Sequence, residues 1–229
     1  ESPAQSQVYP SAARLAVCDT LNGVSSCCLV YGQTGSGKTH TMFGPHARMG
    51  DAAEDAGIAP RALAEIFAAR DARLLSDDSD ATVGLAAVQI LGGGVTDLLR
   101  GGRGLRLDSA SAAALEEEAG AAQVANAQTS IHGHRILLDG RADMPAASLD
   151  AALELLATGE SCKRLAATAM NERSSRAHTL LVISLCQVHN GVERRSRLFL
   201  ADLGGSEKLD RSKAADGFRA RAVEVGGVE

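Results

Sequence analysis

Apolar and polar positions in the first third of the chain follow first a helical, then a strand-like and then again a helical spacing. Residues 11–21 carry apolar side chains on one helical face and are followed by Asn-Gly, which predicts a helix and its end. Residues 25–32 form a continuous apolar run, which predicts a short, fully buried strand. Residues 38–43 are expected to begin the next helix. A longer helix is expected over residues 60–75, with Pro60 in its first turn.

Segments with helical and strand-like spacing continue to alternate up to residue 205. They predict a strand at 82–91, a glycine-rich bend at 92–102, a helix at 148–165, and strands at 178–188 and 196–205 around a His-Asn-Gly turn. Alternating strands and helices predict a layered α/β domain. The alanine-rich stretch at about 110–128 has low complexity, and we treat it as an insertion or loose helix of unknown role.

Composition narrows the class of protein. The chain has 229 residues, of which 45% are hydrophobic and 22% charged, with a formal net charge of -5. This mild acidity argues against a general nucleic-acid binder. No signal peptide opens the chain and no apolar run approaches a membrane span, so membrane insertion is not expected. Five cysteines without a C-x-x-C pair predict no disulfide framework and a reducing, cytoplasmic compartment, with Cys27 and Cys28 buried.

A glycine-rich turn follows the first predicted strand and matches G-x-x-x-x-G-K-[ST] without a mismatch. Its glycines would let backbone N–H groups turn inward around phosphate oxygens. Lys38, at the start of a helix, would reach the β- and γ-phosphates, and the Thr39 hydroxyl would hold Mg²⁺. We therefore predict an ATP–Mg²⁺ site. Its expected nucleotide-binding residues are Gly32, Gln33, Thr34, Gly35, Ser36, Gly37, Lys38 and Thr39.

Two later motifs supply what hydrolysis needs beyond a phosphate cradle. Residues 171–178, NERSSRAH, place hydroxyls, a guanidinium and an imidazole on one loop ahead of a strand. Residues 202–207, DLGGSE, end a hydrophobic strand with an acid that can hold the water shell of a metal and glycines that admit a γ-phosphate. Alone, each motif also fits an ordinary polar loop or turn. Together, in this order behind the glycine turn, they predict a catalytic site.

The order of these segments resembles the kinesin motor domain over nearly the whole chain. Residues 7–23 look like the first helix of that family, and GIAPRALAEIF at 57–67 is similar to its G-I-[IV]-P-R segment. The two later motifs look like switch I (N-x-x-S-S-R-S-H) and switch II (D-L-A-G-S-E). Myosins share the P-loop and an S-S-R switch, but His178 and the Ser-Glu pair at 206–207 favour kinesin.

The resemblance implies the fold and the domain organisation. It implies an α/β domain of the P-loop NTPase type, with a central, mostly parallel or mixed sheet and helices on both faces. Residues 1–229 would form one partial motor domain, incomplete at both ends, with the P-loop at 32–39, switch I at 171–178 and switch II at 202–207. The sequence departs from the family pattern at Ala177, Gly204 and Gln89, where serine, alanine and an acid are usual.

The resemblance also implies catalytic roles. The matching positions are Ser174, Ser175, Arg176, Asp202, Gly205 and Glu207. The two serines would contact Mg²⁺, the γ-phosphate and the attacking water, while Gly205 would sense the γ-phosphate. Arg176 and Glu207 would form the ion pair that closes the switches. Mg²⁺ would be held by Thr39, Ser175 and, through water, Asp202.

Two further features gain a role only through the resemblance. A lone histidine is more often structural, but His40 matches a position where the family packs a ring against the adenine, so it joins the expected nucleotide-binding residues. The loop after switch II contributes to the tubulin-facing surface in the family. Lys208, Arg211 and Lys213 lie in it, and a basic loop suits the acidic surface of tubulin. The alternative for this loop is an ordinary solvated charged segment.

The function implied is that of a microtubule-dependent motor ATPase, which hydrolyses ATP with Mg²⁺ and works in the cytoplasm on the microtubule cytoskeleton. The alternative is a non-motile, divergent module that binds nucleotide or tubulin without productive turnover. Microtubules are the expected partner, and no nucleic acid is expected. The sequence indicates neither a dimerisation partner nor a direction of movement or a cargo.

Overall fold

The computed structural model describes residues 4–45, 53–73, 79–91, 94–104, 137, 140, 142–169 and 177–205. Most of switch I, the end of switch II, the basic loop after it and the alanine-rich stretch lie outside these ranges. None of the described helices combines the length and the apolar character that crossing a bilayer requires.

The elements follow the order that the hydrophobic pattern predicts. In chain order they are α1 Gln5–Val8, a π-helical turn Tyr9–Ala13, α2 Arg14–Leu21, β1 Ser26–Val30, α3 Lys38–Phe43, a 3-10 turn Ala53–Asp55, α4 Ile58–Arg73, β2 Ser79–Leu91, β3 Gly94–Asp97, β4 Arg103–Gly104, β5 Met144–Ala146, α5 Leu149–Ala169, β6 His178–His189 and β7 Val192–Asp202.

The strands form one mixed sheet of seven strands in the order β1-β7-β6-β2-β3-β4, with β5 beside β2. The predicted mixed α/β fold is confirmed. Parallel pairing is limited to β1 with β7 among the described strands, so the sheet is mixed rather than mostly parallel. The reason is local: a tight turn at Asn190 and Gly191, with φ of 50° and 73°, folds β6 back on β7 as a hairpin.

The main core lies between one face of this sheet and helices α2 to α5. Its fully buried side chains come from both layers, and they include Met42, Ile58, Leu63, Ile66, Phe67, Leu85, Leu181, Ile183, Leu185, Leu198 and Leu200. The other face carries a smaller apolar cluster around Val88 and Val182. Leu137, which is helical, packs into this second cluster.

The first helix begins earlier than its pattern predicts. Residues 5–21 are helical throughout, whereas the expected start was residue 11. Pro10 lies within the π-helical turn. Proline lacks the N–H that an α-helix needs in its interior, and the wider turn lets the helix continue past it. A proline that normally marks a boundary is therefore accommodated within the helix.

Strand β1 is not the fully buried strand that its apolar run predicts. The side chains of Cys28 and Val30 pack toward the core, but Cys27 is exposed and Leu29 is 54% exposed. The two faces of the strand therefore differ: one packs against the core, and no layer of described residues covers the other. Burial raises the pKa of the Cys28 thiol, which keeps it protonated at neutral pH. All five cysteines are free, as predicted.

Two glycines join the end of α3 to the start of α4 by direct backbone contact. A Cβ atom at Gly57 would lie 2.5 Å from the Gly44 nitrogen and 2.6 Å from the Phe43 backbone. A Cβ at Gly44 would lie 2.8 Å from the Asp55 carbonyl oxygen and the Gly57 nitrogen. Only glycine permits this approach, and it fixes the helix that carries the P-loop lysine.

We expect Gly57→Ala to destabilise the domain by at least about 2 kcal/mol, because the backbone atoms it would strike cannot swing away as a side chain can. Chemical denaturation measures this change. Gly159→Ala is the matched control: its Cβ would meet neighbours at 3.4 Å or more inside a helix, so stability should hold or rise slightly. Equal stability of both variants would contradict the contact.

Candidate nucleotide site

The glycine turn between β1 and α3 has a backbone that only glycine adopts readily. Gly35 and Gly37 have φ of 81° and 88°, and a Cβ atom on either would meet nothing within 4 Å. Substitution there would strain the backbone without filling the protein interior. At Gly32 a side chain is excluded by lack of space as well as by the backbone conformation, because a Cβ would lie 2.8 Å from the Ser36 hydroxyl oxygen. The glycines that the motif demands are therefore required by the shape of the loop.

Lys38 folds back over this loop. Its Nζ atom donates hydrogen bonds to the carbonyl oxygens of Gly32 and Gln33, both at 2.8 Å. These two acceptors are neutral, whereas phosphate oxygens are charged and bind an ammonium group more strongly. The ammonium is therefore held at the loop by contacts that an anionic ligand could outcompete.

Asp202 lies beside the P-loop because of strand register. β1 and β7 run parallel, with Val30 paired to Asp202, so the end of β7 meets the start of the glycine turn. The Asp202 carboxylate is buried, and its Oδ2 atom accepts hydrogen bonds from Thr39 Oγ1 at 2.7 Å and from Lys163 Nζ at 3.0 Å. The hydroxyl and the carboxylate that the sequence predicts as metal-binding groups are thus in direct contact.

Lys163 is a site residue that the sequence analysis missed. It projects from α5, 4.0 Å from Glu160 Oε1 and 5.2 Å from the centre of the Phe43 ring. Burial raises the pKa of the Glu160 carboxyl, and the positive charges of Lys163 and Arg164 oppose that rise. The sequence did hold one signal for Lys163, its position along the helix. Lys163 lies two helical turns after Leu156, which is buried in the core, so the lysine falls on the inward face of the helix.

The ends of the two predicted switches meet at the same place. The Gly204 N–H donates to His178 Nδ1 at 3.0 Å, and the Leu203 N–H donates to the Val30 carbonyl at 3.1 Å. A cleft of about 340 Å³ opens between these segments and the P-loop. Its lining residues are Thr34, Gly35, Gly37, Lys38, Thr39, His40, Lys163, Ala177, Asp202, Leu203, Gly204 and Gly205.

His40 lines this cleft and is held from behind by a second residue that the sequence analysis missed. Gln5, at the start of α1, is 8% exposed. Its Nε2 atom lies 2.8 Å from both the His40 Nδ1 atom and the His40 carbonyl oxygen. The only signal in the sequence was a glutamine six residues ahead of the predicted helix, which by itself indicates nothing.

The structure thus brings together residues of the P-loop, Asp202, Gly205 and His40 in one cleft. Gly32, Gln33 and Ser36 belong to the loop itself. The remaining predicted residues lie outside the described part of the chain, and their placement stays a prediction. They are Ser174, Ser175, Arg176, Glu207, Lys208, Arg211 and Lys213.

The sheet, the strand–glycine turn–helix unit and the acidic strand end beside it define an α/β protein of the P-loop class. Comparison with known proteins gives the family. The family model described as the kinesin motor domain matches residues 1–224. The chain therefore belongs to the kinesin motor domain family, and the resemblance seen in its motifs is confirmed.

Curated relatives agree with this assignment. The chain is 33% identical over 211 residues to kinesin-like protein KIN-14A of Oryza sativa subsp. japonica, covering 92% of the chain and 19% of that protein. It is 35% identical over 202 residues to human kinesin-like protein KIFC2, covering 87% of the chain and 21% of that protein. The chain thus spans about a fifth of the length of these relatives.

Solved structures agree on the fold. A fast kinesin, studied for its ATPase mechanism and interactions with microtubules, matches with a TM-score of 0.68 at 24% identity, over 97% of this chain and 56% of that one. The motor and motor homology domain of Kar3Vik1 matches with a TM-score of 0.62 at 25% identity, over 96% of this chain and 49% of that one. Kinesin motors as a family bind nucleotide, act as ATPases and bind microtubules.

Proposed function

We propose that this chain is part of a microtubule-dependent motor ATPase, with residues 1–229 forming a partial motor domain. The observation that carries the proposal is the contact of Thr39 with Asp202, at 2.7 Å, directly beside a P-loop whose glycines have the left-handed conformation. This contact joins the phosphate-binding turn to the strand end that begins switch II. A change at the nucleotide can therefore be passed to that segment.

The residues present fit ATP with Mg²⁺. Gly35 and Gly37 leave open space where a side chain would stand, and Lys38 holds a positive charge at the loop. Thr39 and Asp202 offer hydroxyl and carboxylate oxygens, the hard donors that Mg²⁺ prefers. Mg²⁺ held there would neutralise charge on the phosphates and on the leaving group. Ser175 would complete the metal set, with Asp202 acting through water.

The roles of the chain's own groups in hydrolysis follow from their place around the cleft. Lys38 would exchange its two carbonyl partners for phosphate oxygens. The Gly205 N–H would contact the γ-phosphate, and Ser174 and Ser175 would place the attacking water. Arg176 and Glu207 would close over that water as an ion pair, which is strong only when it is shielded from solvent.

Lys163 would hold the Asp202 carboxylate in the position on which this arrangement depends. It is the one charged partner of Asp202 among the described residues, and its side chain is 19% exposed. An ammonium 3.0 Å from the Asp202 Oδ2 atom fixes the rotamer of the carboxylate that faces Thr39. We therefore place Lys163 among the positioning residues of the site.

Microtubules are the proposed partner, contacted in part through Lys208, Arg211 and Lys213, and the proposed location is the microtubule cytoskeleton of the cytoplasm. The rival function is a non-motile module that binds nucleotide or tubulin without turnover. The departures at Ala177 and Gly204 favour it, because both fall on the switches. The His178–Gly204 hydrogen bond favours the motor, since the altered segments still meet.

The deciding measurement is phosphate release from ATP by the whole protein, with and without polymerised tubulin. For a motor we expect microtubules to raise the turnover rate at least about tenfold, which corresponds to about 1.4 kcal/mol in the barrier. Unpolymerised tubulin is the control for non-specific charge effects. ATP binding with turnover unchanged by microtubules would establish the non-motile module instead.

A further inference from the structure

The contact between Gln5 and His40 joins two elements that are distant in sequence. Gln5 lies at the first turn of α1, and His40 lies in α3, one residue after Thr39. The Gln5 side chain is buried, while His40 is exposed and lines the nucleotide cleft. A buried amide therefore contacts the inner side of a ring whose outer side faces the cleft.

The orientation of the Gln5 amide is fixed by the His40 carbonyl oxygen. A carbonyl oxygen only accepts hydrogen bonds, so the amide atom 2.8 Å from it must be the nitrogen. The same oxygen also accepts from the Gly44 N–H at 2.7 Å, which uses its second lone pair. This orientation leaves Gln5 Oε1 buried and without a hydrogen-bond partner among the described residues.

The same nitrogen determines the tautomer of the His40 ring. Its second hydrogen points to Nδ1, which lies 2.8 Å away and must accept. In a neutral imidazole whose Nδ1 accepts, the proton is on Nε2. Nε2 lies on the side of the ring away from Gln5. The exposed side of His40 therefore presents a hydrogen-bond donor.

We propose that Gln5 is a positioning residue for the nucleotide: it locks the orientation and the tautomer of His40, so that an Nε2–H donor is presented at the cleft. The identity of the ligand in this inference rests on the proposed function, but the orientation and the tautomer of the His40 ring do not depend on that function. A bound nucleotide meets a fixed donor at this wall and contributes the acceptor. Without Gln5 the ring turns freely, and its ordering must occur on binding.

The first test reads the ring without any nucleotide. Nitrogen NMR of the whole protein, labelled at histidine, distinguishes the two tautomers, and His40→Phe assigns the signal. We expect the His40 proton on Nε2 and an Nδ1 that accepts a hydrogen bond. Gln5→Met keeps the side-chain volume and removes both hydrogen bonds, so its His40 nitrogen signals should be an average over the two tautomers. A proton on Nδ1 in the unaltered protein, or no change in Gln5→Met, would overturn the proposal.

The second test reads the consequence for the ligand. We expect Gln5→Met to raise the KM for ATP about fivefold, with kcat within about twofold, because binding rather than chemistry loses the ordered ring. In a His40→Phe background the same substitution should have no further effect on KM. A lower melting temperature with KM unchanged would show that Gln5 only caps α3 and would refute positioning. If no variant binds ATP, the proposed function fails, while the NMR result still decides the state of the ring.

Discussion

Replacing Lys38 with alanine is expected to weaken ATP binding by at least about a thousandfold. The ammonium is held by the carbonyl oxygens of Gly32 and Gln33, both at 2.8 Å, so it is already at the phosphate-binding loop. The cleft around it is lined mostly by neutral groups, and Lys163 is engaged by Asp202. Among the described residues, removing Lys38 leaves the loop with backbone N–H groups but without a cation available to the phosphates.

Equilibrium titration with a fluorescent ATP analogue measures this loss. Arg195→Ala is the matched control, because it removes one positive charge from a side chain that is 72% exposed and paired with Glu193 far along β7. Its affinity for ATP should stay within about twofold, since exposed pairs contribute little. The melting temperature of Lys38→Ala should be close to that of the unaltered chain. ATP affinity retained in Lys38→Ala would remove this lysine from the site.

The P-loop and the strand beside it could be predicted from the sequence because their requirements are local. Gly32 and Gly37 adopt positive φ angles that other residues rarely do, so these two glycines appear in the motif itself. Asp202 was predictable in the same way, because it directly follows the apolar run at 198–201 that ends a strand. The family resemblance implied that Asp202 and Thr39 share one Mg²⁺ site, and the parallel register of β1 and β7 explains why they are in direct contact.

Other parts of the site depend on tertiary contacts that no local pattern records. Helical spacing puts Lys163 on an inward face but does not give its partner until α5 is placed against β7. Gln5 lies ahead of the predicted helix and indicates nothing until α1 is seen to reach α3. The exposure of Leu29 was hidden for the same reason. An apolar run indicates a strand, but it does not indicate whether a second layer covers both of its faces.

Replacing Asp202 with asparagine is expected to lower ATP turnover at least about a thousandfold while changing ATP affinity by less than about tenfold. Asparagine has nearly the same shape and can still accept one hydrogen bond from Thr39 Oγ1 or Lys163 Nζ, so the buried position stays filled. The substitution removes the negative charge of the Asp202 carboxylate, whose Oδ2 atom accepts hydrogen bonds from both groups. Lys163 then keeps only the more distant Glu160, at 4.0 Å, as a counter-charge, and the proposed Mg²⁺ shell would lack its carboxylate.

The expected signature separates Asp202 from Lys38, because one variant loses turnover and the other loses binding. Phosphate release at saturating ATP, measured across a range of Mg²⁺ concentrations, should show a low maximal rate and a higher Mg²⁺ requirement in Asp202→Asn. Asp80→Asn, on an exposed part of β2, is the control and should behave like the unaltered chain. Normal turnover in Asp202→Asn would mean that its contacts with Thr39 and Lys163 only hold β7 against the P-loop. In that case the path from nucleotide to switch II would have to begin at the Gly205 N–H instead.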